Sequence, residues 1–338
     1  MRALRARGMQ FAVLLGLCLS CNAYDANSWA QAPDARHADI APAKGRDPHF
    51  GMYVPPNEQH PAMALPIWKQ SNHGAYVSVG TERSFMGAAV TRAAALVVID
   101  YDSAIVQFAA INRALLAASV NRDDYVTLRL TAPRETWVGR ASQVATEDAE
   151  TLRDKTAWTF WNDNVRQNTN AWSAAFQHFN QQADKPDGPF AQTNYMFDDQ
   201  LYQHLHDLAR NGHIWTRTLD LRDEKAVRKL CQDMLASGMI LGVIDTSNVP
   251  DTSEAGQLAA GKYVAWFSEF VEDSTLFLNT ERANRQSDTY WSYFAFTGRA
   301  VKGHDAATIA RWYTAEIARL QADSQTRASI DDPAVIVR

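Results

Sequence analysis

Between residues 74 and 321 apolar and polar positions follow regular patterns. "AYVSVG" (75–80) is a short β-rich run, and the spacing then predicts a short helix from Ser84 to Arg92. "AALVVIDYD" (94–102) is a near-continuous apolar run ending in acids, the pattern of a strand buried on both faces. "SAIVQFAAINRALLAASV" (103–120) places Ala104, Phe108, Ile111, Leu115 and Ala118 on one helical stripe. "YVTLRL" (125–130) reads as a further strand. A β-α-β-α-β succession of this kind predicts an α/β fold: a Rossmann-like, mostly parallel sheet flanked by helices.

Residues 133–212 break this rhythm with Trp137, Trp158, Trp161, Trp172 and many amides, and read as a helical insertion. Tryptophans at helical spacing favour a packed helical pair beside the sheet over a lid. The insertion ends in "FDDQLYQHLHDLARNG" (197–212), with Asp198 or Asp199 as cap and Gly212 as stop. The rhythm resumes with a strand in "HIWTRTLDL" (213–221). A helix follows, with Val227, Leu230, Cys231 and Met234 on one face and Gly238 as its end. Further strands are expected in "MILGVIDTSN", "STLFLNTER" and "YWSYFAFTG", the last near an edge, before a closing helix carrying Ile309, Trp312, Tyr313 and Leu320 inward. The α/β domain thus spans 73–330.

What precedes it differs. Arg2, Arg5 and Arg7 lead into an apolar run, Met9 to Leu19, too short to cross a bilayer comfortably and laid out as a secretory signal over residues 1–23. Two exits stay open: cleavage after Ala23 or near Ala30-Gln31-Ala32, or acylation of Cys21 in a lipoprotein-type box. Either predicts an exported protein, periplasmic or membrane-anchored, that touches the membrane only through its N-terminus. Residues 24–72 read as a tether and extended lead-in, because four prolines in "GMYVPPNEQHPAMALPIW" disfavour helix and central strand.

Composition narrows the function classes. The 338-residue chain carries a net charge of −5, which argues against a broad nucleic-acid face. Residues 1–23 hold three arginines and no acid, so a chain cut there carries −8. Of three cysteines only Cys231 lies beyond the signal, and neither a disulfide nor a metal site is expected.

Ligands of open α/β sheets bind outside the carboxyl ends of the strands, at the topological switch point. That rule collects Gly80, Thr81, Glu82 and Arg83 after the first strand, and Asp100, Tyr101 and Asp102 after the second. It adds Asp220, the Asp245-Thr246-Ser247-Asn248 loop, and Asn279 to Arg282. "TER" stands twice, at 81–83 and 280–282, as two similar arms toward one ligand or as solvated loop tips. Gly80 precedes Asp100 by the spacing of a first-strand turn and a ribose-gripping acid. The glycine-rich fingerprint is absent, and an acidic turn is a poor pyrophosphate cradle, so NAD, FAD and ATP are disfavoured. His204 and His206 cannot chelate together on a helix, and no nucleophile motif is present.

"VSVGTERSFMGAA", "VVIDYD" and "VQFAAINRALL" resemble the first two strands of Rossmann-type, S-adenosylmethionine (SAM)-dependent methyltransferases. With "GVIDTSNVPDT" and "FLNTER" the resemblance is closer to an uncharacterised bacterial family with a methyltransferase-like fold, over roughly residues 74–300. It implies SAM as cofactor, held by Gly80, Thr81, Glu82, Asp100, Asp102 and Asp220, with Asp220 or Arg222 near the adenine. It also implies catalytic roles for Asp245 and Asn248, near the transferred methyl, and a small-molecule substrate held by Arg83, Ser247, Glu281 and Arg282. The chain departs from the methyltransferase pattern where the usual glycine-rich loop has become Gly80-Thr81-Glu82-Arg83. The alternatives are a non-enzymatic exported binding protein using the same crevice, and an envelope hydrolase with Asp245 or Glu281 as acid/base.

Overall fold

The computed structural model describes residues 53–55, 58, 61–167, 179–180, 190, 192–249, 254–282, 291–322 and 336–337. The expected signal, Cys21, most of the tether and Trp172 lie outside the described residues.

The chain opens with a 3-10 turn (Pro61–Ala64) and one helical turn, α1 (Leu65–Trp68). This corrects the extended reading of that stretch. Pro66 sits in the first turn of α1, where a missing N–H costs nothing. There follow β1 (Ala75–Val79), α2 (Glu82–Thr91), β2 (Leu96–Asp100) and α3 (Ser103–Ala118). Asp102 caps α3 by accepting from the Ala104 N–H.

The regular elements described between there and Arg210 are all helical: α4 (Arg122–Leu130), α5 (Arg134–Arg140), α6 (Thr146–Arg153), α7 (Lys155–Trp161) and α8 (Asp199–Arg210). Residues 125–130, expected as a strand, are therefore helix. Asn121 caps α4 through the Asp124 N–H, and Asp123 and Asp124 fill its first turn. Local start signals and burial of Tyr125, Leu128 and Arg129 on one face outweigh the β-propensity of the run. The remaining elements are β3 (Ile214–Thr218), α9 (Glu224–Ala236), β4 (Leu241–Asp245), α10 (Glu254–Ser268), β5 (Leu276–Arg282) and β6 (Trp291–Thr297). The short α11 (Gly298–Val301), α12 (Ala306–Ala322) and the two-residue β7 (Ile336–Val337) complete them.

The sheet order is β3-β2-β1-β4-β5-β6-β7. The first five strands are mutually parallel, and β6 runs antiparallel to β5. This is the doubly wound arrangement, in which the order reverses between β1 and β4. One face packs on α2, α3 and the helical segment through Leu96, Val98, Phe108, Trp137 and Trp161, with Phe108 stacked on Trp161 at 5.1 Å. The other packs on α9, α10 and α12 through Val97, Ile99, Val227, Phe267 and Tyr313. The apolar stripes expected for α3 and α9 are buried in these two layers.

Gly261 lets α10 and α12 touch. A Cβ there would stand 2.1 Å from the Ala306 carbonyl oxygen, a backbone atom that cannot swing away. Gly261→Ala is expected to destabilise the protein by about 1–3 kcal/mol, read as a lower urea midpoint at unchanged slope.

Candidate functional site

Gly80 ends β1 with φ of +109°, a conformation that suits glycine, and a Cβ added there would meet nothing within 4 Å. Val79 pairs with Ile99, so Gly80 and Asp100 end adjacent strands side by side, and Asp100 in turn pairs with Thr218 of β3. Asp100 is 8% exposed. One carboxylate oxygen accepts the Asp102 N–H at 2.9 Å. Burial, with Asp102 as a neighbouring like charge, pushes its pKa up to about 7, against the Asp102 and Tyr101 amides that lower it. The Thr218 hydroxyl beside it is buried and without a hydrogen-bond partner among the described residues. The carboxyl ends of β1, β2 and β3 therefore combine open space over a glycine with a buried acid and a buried hydroxyl.

The β1/β4 side is different. Arg83, in the first turn of α2, is 2% exposed. Its Nη2 lies 2.9 Å from Asp245 Oδ1, an ion-pair contact, and its Nη1 donates to Glu58 Oε1 at 3.1 Å. Nη1 also contacts the Thr280 hydroxyl, and the Tyr293 ring lies under the guanidinium at 5.0 Å. Asp245 accepts the Tyr76 hydroxyl at 2.6 Å, and the Tyr76 oxygen accepts the Trp68 indole N–H at 2.9 Å. Ser247, at φ of +52°, donates its hydroxyl to Glu58. Burial alone would lower the Arg83 pKa, but the Asp245 and Glu58 carboxylates raise it above the usual guanidinium value. Asp245 is raised by burial, although Arg83 and Tyr76 both lower it. Glu58 comes from the proline-rich lead-in, where the Val54 carbonyl also accepts the Thr81 hydroxyl at 2.8 Å. The topological switch point is thus filled by the protein's own ion cluster and its own N-terminal segment.

The two "TER" tripeptides do not form like arms. Glu82 is fully buried and faces the helical segment, accepting from Arg129 and, at 2.5 Å, from the Tyr195 hydroxyl. Arg129 also lies over the Trp161 ring. In the second tripeptide Thr280 reaches Arg83, whereas Glu281 follows the strand's alternation onto the face of Asn279. Asn279 there accepts the Thr246 and Tyr313 hydroxyls at 2.7 and 2.8 Å. The Arg282 side chain lies outside the described residues, as does Pro250.

Asn248 is half-buried next to Ser247. Asp220 grips Arg222 at 2.7 and 2.9 Å in an open depression of about 680 Å³ lined also by Asp223, Glu224, Lys225 and Arg228. The Arg222 hydrogen bond lowers the Asp220 pKa, and Asp223 is occupied as the cap of α9. His204 and His206 are half-buried and bond the Ala93 and Leu116 carbonyls. Among the described residues no cluster of His, Cys, Asp and Glu is arranged to hold a metal, and no helix is long and apolar enough to cross a membrane.

The sequence reading missed Glu58, Tyr76 and Tyr293. A signal for Glu58 existed, since it is the only acid between Asp47 and Glu82. Tyr76 and Tyr293 looked like ordinary strand aromatics and carried no signal.

These features define a Rossmann-like α/β protein with a buried acid next to the strand-end glycine Gly80 and a switch point occupied by its own ion cluster. The chain belongs to the family described as domain of unknown function DUF7790, whose model matches residues 53–302. The match begins at Tyr53, so the segment carrying Glu58 is part of the family domain. No curated protein matches the chain.

Asp100 gives the site a pH signature. The folded state holds a proton up to about pH 7 that the unfolded chain releases near its ordinary carboxyl value. Stability therefore falls as pH rises through that window. Asp100→Asn is expected to gain roughly 2–4 kcal/mol on wild type between about pH 4 and about pH 8, measured by urea unfolding at each pH.

Proposed function

We propose that this protein binds a small, hydroxyl-bearing ligand of nucleoside type over Gly80, with Asp100 accepting from the ligand hydroxyls. The observation that carries this is the Asp100 carboxyl, buried with no cation against it among the described residues, next to Gly80, where an added Cβ would meet nothing within 4 Å. A buried acid with acceptor capacity to spare is costly unless something donates to it.

The reading treats the protein as a ligand-binding member of its family and SAM as the first ligand to try. It leans away from methyl transfer. Asp245 would serve a substrate in that chemistry, but its carboxylate is engaged by Arg83 and Tyr76 and is 1% exposed. Methyl transfer remains the second reading, supported by the open space over Gly80 and by the adjacent ends of β1 and β2 that bring Gly80 and Asp100 side by side. Export, with anchoring through Cys21 as one route, is part of the proposal and follows from the sequence of residues 1–23.

Calorimetric titration of residues 24–338 with SAM, its demethylated product and adenosine is the test. Micromolar binding of at least one, weakened about 100-fold or more by Asp100→Ala without loss of folding, is the expected outcome. Unchanged affinity in the variant would remove Asp100 from the site. A folded wild-type protein that binds none of the three would remove the nucleoside-type reading.

A further inference from the structure

The proposed ligand leaves unexplained why Glu58 sits where it does. The carboxyl ends of β1 and β4 flank the point at which open α/β sheets bind ligands. The group found there is a carboxylate from outside the sheet, and the residues around it are donors. Arg83 Nη1 and the Ser247 hydroxyl both converge on one oxygen, Glu58 Oε1.

The fit is incomplete. Arg83 Nε and the Tyr293 hydroxyl are buried beside the cluster and have no hydrogen-bond partner among the described residues. Tyr293 is 4% exposed, and its ring lies against the Arg83 guanidinium. Buried donors left unpaired are expensive in a structure that gains only modestly from each bond it does make. Asp245 neutralises Arg83 from within the sheet, so the Glu58 carboxylate is a second anion on the same guanidinium, arriving from the lead-in.

We propose that Arg83, Ser247 and Tyr293 form a carboxylate-binding site at the switch point, that Glu58 is its internal occupant, and that a small free carboxylic acid takes Glu58's place once that carboxylate is withdrawn. Ligand size is limited by the burial of all three residues. The internal occupant has the advantage of a tethered group at high effective concentration, so a free acid competes poorly with it in the wild-type chain. Removing the Glu58 carboxylate exposes the site to the free acid.

The test compares full-length wild type, Glu58→Ala and Glu58→Ala/Ser247→Ala by differential scanning calorimetry, in sodium acetate and in sodium chloride at equal ionic strength and pH. Acetate is expected to raise the Glu58→Ala midpoint by about 2 °C or more while leaving wild type unmoved. Adding Ser247→Ala is expected to remove most of that rise. If Glu58→Ala folds only when refolded in acetate, the site is supported in the same way. Equal acetate shifts in wild type and Glu58→Ala, no shift in either, an unchanged shift in the double variant, or failure to fold in both salts would each overturn the proposal. None of these outcomes depends on nucleoside binding over Gly80.

Discussion

The buried guanidinium of Arg83 is the constraint around which the carboxyl edge of the sheet is organised. A charge this deeply buried persists only when anions surround it, and breaking one such pair leaves the other charge stranded at a cost of about 3–5 kcal/mol. Asp245 at the end of β4 supplies one anion, and Glu58 from the lead-in supplies the second. The demand for neutralisation therefore draws Glu58, from the proline-rich lead-in, to the sheet edge. Trp68 and Tyr76 complete the path from α1 to Asp245, so the lead-in is attached through a chain of polar contacts as well as through apolar burial.

Glu82, one residue earlier, does the same for the other side. Its carboxylate is matched by Arg129 from α4 and by Tyr195, which ties the helical segment between β2 and β3 to the turn after β1. Successive residues of one helical turn thus face in different directions and fix two unrelated parts of the chain. This explains why the turn after β1 can depart from a glycine-rich loop. A phosphate cradle needs bare backbone amides, whereas a turn that clamps two flanking segments needs charged side chains. Gly80 keeps its positive φ because the strand must still bend sharply there.

Much of the fold was legible because burial leaves periodic traces. β2, α3 and α9 carry an apolar pattern that the structure buries, and α8 and α9 carry a cap or stop that it uses. The failures have a common cause. Residues 125–130 look β-forming, yet Arg129 is buried on a helix against Glu82, a partner 47 positions away in the chain. No window of local sequence contains that pairing. The prolines between Pro61 and Trp68 suggest extended chain, yet Pro66 falls in a first helical turn, where its missing N–H is tolerated. The strand-end rule gathers residues of one sheet edge, but it does not separate Glu82 from Arg83, or Thr280 from Glu281, because facing depends on helix phase and strand alternation.

The two halves of that edge obey opposite electrostatic logic, and this divides their roles. Arg83, Asp245 and Glu58 pair with one another inside the protein, so the β1/β4 half draws its carboxylates from within unless an external acid replaces Glu58. Among the described residues Asp100 has no such partner, and burial raises its pKa, with Asp102 as a neighbouring like charge adding to the rise. A ligand that donates hydrogen bonds to Asp100 would favour the ionised form and draw the pKa back down. Binding at this half would therefore release a proton near neutral pH, whereas exchange of one carboxylate for another at the β1/β4 half leaves the local charge unchanged. Proton release on binding thus distinguishes which half of the sheet edge a ligand has entered.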